Sequence, residues 1–157
     1  MSRSGPDLAL LLLGGFRTMV DAATSGLAEL GYEDVRPAHD FALRAILAGA
    51  DSASELGRRT DVTKQAAAKT IAVLEERGYV TRAADPLDRR RMHVHVTPRG
   101  RAMLAEGERI LDEVCRQWEQ RVGAQTVTAL EAALRELVGT EGVSLASPGW
   151  VATSTDV

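Results

Sequence analysis

The chain has one cysteine, Cys115, in 157 residues, so no intrachain disulfide can form. That argues against a stapled secreted fold. Aromatic residues are scarce at 4%, which leaves Leu, Val, Ile and Ala to fill the core. The longest apolar candidate, Leu8 to Phe16, contains Gly14 and Gly15 and falls short of the roughly 20 residues a bilayer requires. No basic leader with a small-residue cleavage site accompanies it. A cytoplasmic protein without membrane contact is therefore expected. The sequence also shows no nucleophile elbow, no glycine-rich phosphate loop and no paired carboxylates on a suitable turn. No catalytic residue, enzyme activity, cofactor or metal is expected.

Net positive charge is lacking too, since the chain carries −3 overall. The distribution is uneven, however. Between Arg58 and Arg101 stand eleven Lys/Arg against five Asp/Glu, while the remainder has eight against seventeen. A basic middle inside an acidic frame is the footprint of a polyanion site.

Periodicity organises the chain into helices and one hairpin. Leu8, Leu11, Leu12, Phe16, Met19, Val20, Ala23, Leu27 and Leu30 recur at three- and four-residue steps, which predicts a helix over 7–30. Its span of about 35 Å is long for a small domain, so part of it is expected to pack on a partner. Gly31 should stop it, and Pro37 should open a second helix running to Gly49. Ser52-Ala53-Ser54-Glu55 reads as a capping box before a short helix with Leu56 inward. A break at Thr60-Asp61-Val62 precedes a helix capped by Thr63, with an inner stripe of Ala67, Ile71 and Leu74. After Gly78 the period changes to two. Strands are expected from Tyr79 to Ala84 and from Arg91 to Thr97, joined by the turn Asp85-Pro86-Leu87-Asp88. Thr97-Pro98 opens a helix with the stripe Met103, Ile110, Leu111, Val114, Trp118 and Val122. A last helix carries Val127, Leu130, Leu134, Leu137 and Val138. From 140 to 157 the composition is small and polar apart from Trp150, and a mobile tail is expected.

Two short helices joined by a three-residue break, then a hairpin, form a helix-turn-helix with a wing. The fold class expected is mainly α with a small β-hairpin wing, a winged helix-turn-helix head plus a helical dimerisation region. The second helix of such a motif enters the major groove by its N-terminal end. Here that end has no acid and begins with Lys64, against its own dipole. A phosphate at that position would resolve the conflict. The alanines keep the surface slim. Gln65 suits adenine, and Lys64 or Lys69 suits guanine or phosphate. Asp88-Arg89-Arg90-Arg91 then crowds three cations onto a narrow turn, where they repel one another and suit the negative potential of a minor groove. Asp88 could hold one guanidinium in a fixed fork.

At this point the sequence resembles the MarR family of winged helix-turn-helix regulators. The carrying residues are Ser54-Glu55-Leu56, Leu74-Glu75-Glu76-Arg77-Gly78-Tyr79-Val80, and Asp85-Pro86-Leu87-Asp88-Arg89-Arg90-Arg91 running to Val96-Thr97-Pro98-Arg99-Gly100. The resemblance implies a homodimer built from the first helix and the last two, binding double-stranded DNA at a roughly palindromic site. It implies a transcription regulator, more often a repressor, that a small-molecule effector releases. Carried onto this chain, Ser54, Thr63, Lys64, Gln65, Ala66, Lys69 and Thr70 would face the major groove. Asp88, Arg89, Arg90 and Arg91 would form the wing contact, with Arg90 in the minor groove and Asp88 orienting it. Phe16, Arg17 and His39 fall where an effector pocket can form. Arg36, before Pro37, departs from the Thr or Ser cap common in the family.

The regions expected are an N-terminal dimerisation helix at 1–35, the DNA-binding head at 36–97, C-terminal dimerisation helices at 98–139, and the tail. His93 and His95 share a strand face but lack further ligands, so they are read as facing solvent or phosphate. Cys115, mid-helix beside Val114, is read as a packed thiol. A protein-interaction module and a nonspecific DNA-coating protein are the competing functions. The first predicts an apolar recognition face, which Lys64, Gln65 and Lys69 do not supply.

Overall fold

Ser4 accepts the Asp7 amide at 3.2 Å and starts helix α1, Gly5–Glu29. Gly31 follows with a φ of 86°, a conformation that favours glycine and ends the helix. The computed structural model describes residues 4–139; the tail expected at 140–157, with Trp150, lies outside them. The remaining elements are α2 (Pro37–Leu47), α3 (Ala53–Thr60), α4 (Lys64–Glu76), β1 (Val80–Ala84), β2 (Met92–Val96), α5 (Pro98–Val122) and α6 (Ala124–Val138). β1 and β2 pair antiparallel, Val80 opposite Val96 and Ala84 opposite Met92.

The described residues divide into two compact units. One contains residues 4–35 and 105–134, and the other contains 36–104 with 135–139. In the first unit Leu27 and Val114 are buried, and a Cβ on Gly107 would sit 3.8 Å from Leu27 Cδ1. The front half of α1 is different. Leu8, Leu10, Leu11, Leu12, Leu13 and Phe16 are all exposed, Leu11 at 72%. No residue of α6 is buried either, and Leu130, Leu137 and Val138 lie open.

One sequence expectation needs correcting here. By length and composition α1 is long and apolar enough to cross a membrane. The unbroken run Leu8 to Phe16 is short, but Met19, Val20, Ala22 and Ala23 extend the apolar stretch past it, with Arg17 and Asp21 as the charges it takes in.

The head is built on the expected stripe. Leu56, Ala67, Ile71 and Leu74 are each at most 2% exposed, joined by Leu43, Tyr79 and Met103. Burying a Leu or Ile side chain of this kind contributes about 1.5–3 kcal/mol. The first turns of α5, with Met103 and Leu104 buried, belong to the same unit as the wing. The Thr97 hydroxyl donates to the Gly78 carbonyl at 2.6 Å and accepts the Gly100 amide at 3.1 Å, which pins α5 to the end of α4.

Candidate nucleic-acid interface

The turn between α3 and α4 fixes the angle of the reading helix. Asp61 takes the left-handed conformation at φ 54°, and the Val62 amide donates to the Gly57 carbonyl at 2.9 Å. A Cβ on Gly57 would stand 2.8 Å from the Val62 carbonyl oxygen, so the two backbones touch there. Thr63 then caps α4, accepting the Ala66 amide at 3.1 Å. Thr63, Lys64, Gln65, Ala66 and Lys69 are exposed, on the side opposite the buried Ala67, Ile71 and Leu74. Gln65 and Lys69 stand four residues apart and so share a face. Thr70 is half-buried and its hydroxyl donates to the Ala66 carbonyl at 3.2 Å. Ser54 is exposed on α3.

Ser52 supplies half of the expected capping box by accepting the Glu55 amide at 3.2 Å. Glu55 is occupied elsewhere. Arg58 and then Arg59 hold its carboxylate, at 2.6 and 2.8 Å, and keep its pKa at about 2. Arg59 also donates to the Ala48 carbonyl at 2.6 Å, which ties α3 to the end of α2.

The wing turn is held by two aspartates. Asp85 Oδ1 accepts the Leu87 amide at 2.7 Å, and Asp88 Oδ1 accepts the Arg90 amide at 3.0 Å. These are Asx-type bonds, local and cheap in entropy. The expected fork between Asp88 and a guanidinium is thus replaced. Asp88 orients Arg90 through its backbone, and its other oxygen lies 4.0 Å from Arg91 Nε. Among the described residues no ion pair engages Lys64, Lys69, Arg89 or Arg90, and all four are exposed.

One histidine behaves differently from the sequence reading. His93 does not face solvent freely. Its ring is bracketed by Asp51 at 2.5 Å and Asp85 at 3.0 Å. The Asp85 half was legible, because antiparallel register puts residues 83 and 93 opposite and residue 85 on the same face. The Asp51 half was not, since it comes 42 residues away. His39 is buried, and its Nδ1 accepts the Arg36 amide at 3.2 Å. It plays the return half of a capping box, which explains how α2 starts without Ser or Thr. Phe16 and Arg17 are exposed on α1, in the other unit. Cys115 is half-buried, and burial, with Asp112, Glu119 and Glu131 nearby, raises its thiol pKa. That is the opposite of an activated thiolate.

With this geometry in place, residues 34–91 match the sequence model of the MarR family. Residues 34–91 belong to the MarR family. The match spans α2 through the wing turn, the stretch that carries the MarR-type reading helix. Among solved structures, FabT of Streptococcus pneumoniae in complex with DNA is similar, with a TM-score of 0.69 at 18% identity, covering 86% of this chain and 95% of that one. CouR of Rhodococcus jostii RHA1 bound to p-coumaroyl-CoA gives 0.61 at 20% identity over 90% and 99%. A probable transcriptional regulator from Pseudomonas aeruginosa gives 0.61 at 26% identity over 83% and 96%. Among curated proteins no sequence match is found. The MarR-type fold of a transcription regulator therefore extends over most of the chain.

Proposed function

We propose that this protein is a sequence-specific DNA-binding transcription regulator that acts as a cytoplasmic homodimer, represses, and is released by a small ligand. The observation that carries DNA binding is the set of exposed cations without ion pairs. Lys64 and Lys69 ride on the first turns of α4, and Arg89 and Arg90 on the wing, within one head. Unpaired cations at a helix N-terminus gain nothing from folding and much from phosphate. Selection from a random duplex library at two salt concentrations tests it. A two-fold symmetric site with half-sites about one helical turn apart supports the reading. Binding only at low salt without sequence preference points to a coating protein, and no binding to an interaction module. On the recovered site Gln65→Ala should relax preference at one position per half-site, by about 1–3 kcal/mol of discrimination, in competition binding. An unchanged preference profile would remove Gln65 from base reading.

The dimer reading rests on the exposed leucines of α1. A bilayer is the weaker occupant for that face, because Arg17 and Asp21 are exposed in mid-helix and would enter hydrocarbon. A second copy leaves such charges at a wet rim. Leu11→Glu should shift the sedimenting mass to that of one chain while helical circular dichroism persists. An unchanged mass would place the contact elsewhere. Effector release is proposed from the CouR complex with p-coumaroyl-CoA, a ligand of that protein. Phe16 and Arg17 on α1, and His39 on α2, are candidate contacts to be tested one at a time. Repression is tested by reporter output with and without the regulator.

A further inference from the structure

Asp51 lies in the loop between α2 and α3 and meets β2 twice. Its carbonyl accepts the Val94 amide at 2.8 Å, and its carboxylate lies 2.5 Å from Nδ1 of His93. The other ring nitrogen, Nε2, lies 3.0 Å from Asp85 Oδ2. A neutral imidazole has one N–H and a protonated one has two. Donation to both carboxylates requires both protons; the neutral ring must leave one carboxylate facing a lone pair. Asp85 is itself part of the wing turn. Its amide donates to the Arg91 carbonyl at 2.9 Å and its Oδ1 accepts the Leu87 amide. Asp88 then fixes the Arg90 amide. A chain of polar contacts thus runs from the helix-turn-helix loop through His93 to the turn that carries Arg90.

We propose that His93 is a positioning residue for the wing, which in its doubly protonated form ties the arginine-bearing turn to the α2–α3 loop and makes wing engagement of DNA depend on pH. This rests on the DNA-binding reading above. The titratable groups facing the ring are Asp51 from the loop, Asp85 from the hairpin and His95 on its own strand, with ring centroids 6.4 Å apart. α2 also packs on β2, but its Asp40 and Arg44 pair with each other at 2.7 Å, and His39 caps its own helix. The hydrogen bond to Asp85, then that to Asp51, raises His93 above its ordinary 6.5. The same contact lowers Asp85 below 3.8. The link is therefore complete below about 6.5 and is lost as pH rises through the raised value in the folded protein. On the acid side the Asp85 half weakens as that carboxyl is protonated, below its ordinary value.

Two measurements on the full chain test this. The first is duplex affinity from pH 5.5 to 9, on the site recovered by selection. Wild-type binding should weaken on the order of three- to tenfold across the His93 transition. His93→Gln should remove that step and bind at pH 6 as wild type does at high pH. His95→Gln should keep it. Asp51→Asn is decisive because it removes a negative charge: attraction to DNA alone predicts tighter binding, whereas loss of the link predicts weaker binding and a flat profile. A step retained in His93→Gln, or tighter binding by Asp51→Asn, overturns the proposal. The second measurement is the titration of the His93 ring by NMR in the free protein, with the Leu87 and Arg90 amide signals. A midpoint above 6.5 with amide shifts that follow it supports the link; a midpoint at or below 6.5, or amides unmoved by His93→Gln, overturns it. A wild type that binds no duplex at any pH overturns the DNA reading instead, and the NMR result still decides the link.

Discussion

Gly100→Ala should destabilise the protein by about 2–3 kcal/mol, even though Ala is the better helix former by about 1 kcal/mol. Gly100 lies in the first turn of α5. A Cβ there would stand 2.3 Å from the Tyr79 carbonyl oxygen and 2.8 Å from Val96 Cγ1. Neither neighbour is easily displaced. Tyr79 is 1% exposed, its carbonyl accepts the Thr97 amide at 3.0 Å, and Val96 is held in register opposite Val80. The backbone of α5 must therefore move away from Tyr79 and Val96, opening the bond from the Gly100 amide to Thr97. Gly107→Ala, in the same helix, is the matched comparison. Its Cβ would meet only Leu27 Cδ1 at an ordinary 3.8 Å, so the propensity gain should show as a stabilisation of up to about 1 kcal/mol. Urea unfolding of both variants measures the two signs. A stabilised Gly100→Ala would falsify the close approach of α5 to the Tyr79 carbonyl.

Arg90→Ala should raise the dissociation constant for duplex DNA by roughly tenfold and lower the slope of log affinity against log salt by about 1. Arg90 is exposed on the wing, with no ion pair among the described residues, so its loss should leave urea stability within about 0.5 kcal/mol of wild type. Asp88→Ala separates position from charge. It removes a negative charge from the wing, which alone favours DNA, but it also removes the acceptor that fixes the Arg90 amide. Weaker binding by Asp88→Ala, with the salt slope retained, is the expected result from titrations at several salt concentrations. Tighter binding would show that the turn needs no fixing.

The head was legible in the sequence because its signals are local. Ala67, Ile71 and Leu74 keep a helical period, Ser52 and Thr63 cap their own helices, and Asp85 and Asp88 write the wing turn within a few residues. What escaped were side chains with two possible partners. Glu55 is adjacent to the Ser52 amide in principle, yet Arg58 and Arg59 compete and win, since two guanidiniums bring opposite charge along with their N–H donors and a single neutral amide does not. His39 caps α2 through Nδ1, and nothing in a single His reports which nitrogen meets a backbone amide. His93 joins segments distant in sequence, and no period or motif encodes such a meeting.

The open leucines of α1 have a thermodynamic consequence. If burying Leu8, Leu11 and their neighbours requires another chain, the folded form of this helix is stabilised only as far as that chain is present. Each tenfold dilution then withdraws about 1.4 kcal/mol from the associated state. The melting temperature becomes a function of how much protein is in the tube, and a regulator kept at low copy number would hold part of its stability, and with it the paired reading heads, in reserve until its own concentration rises.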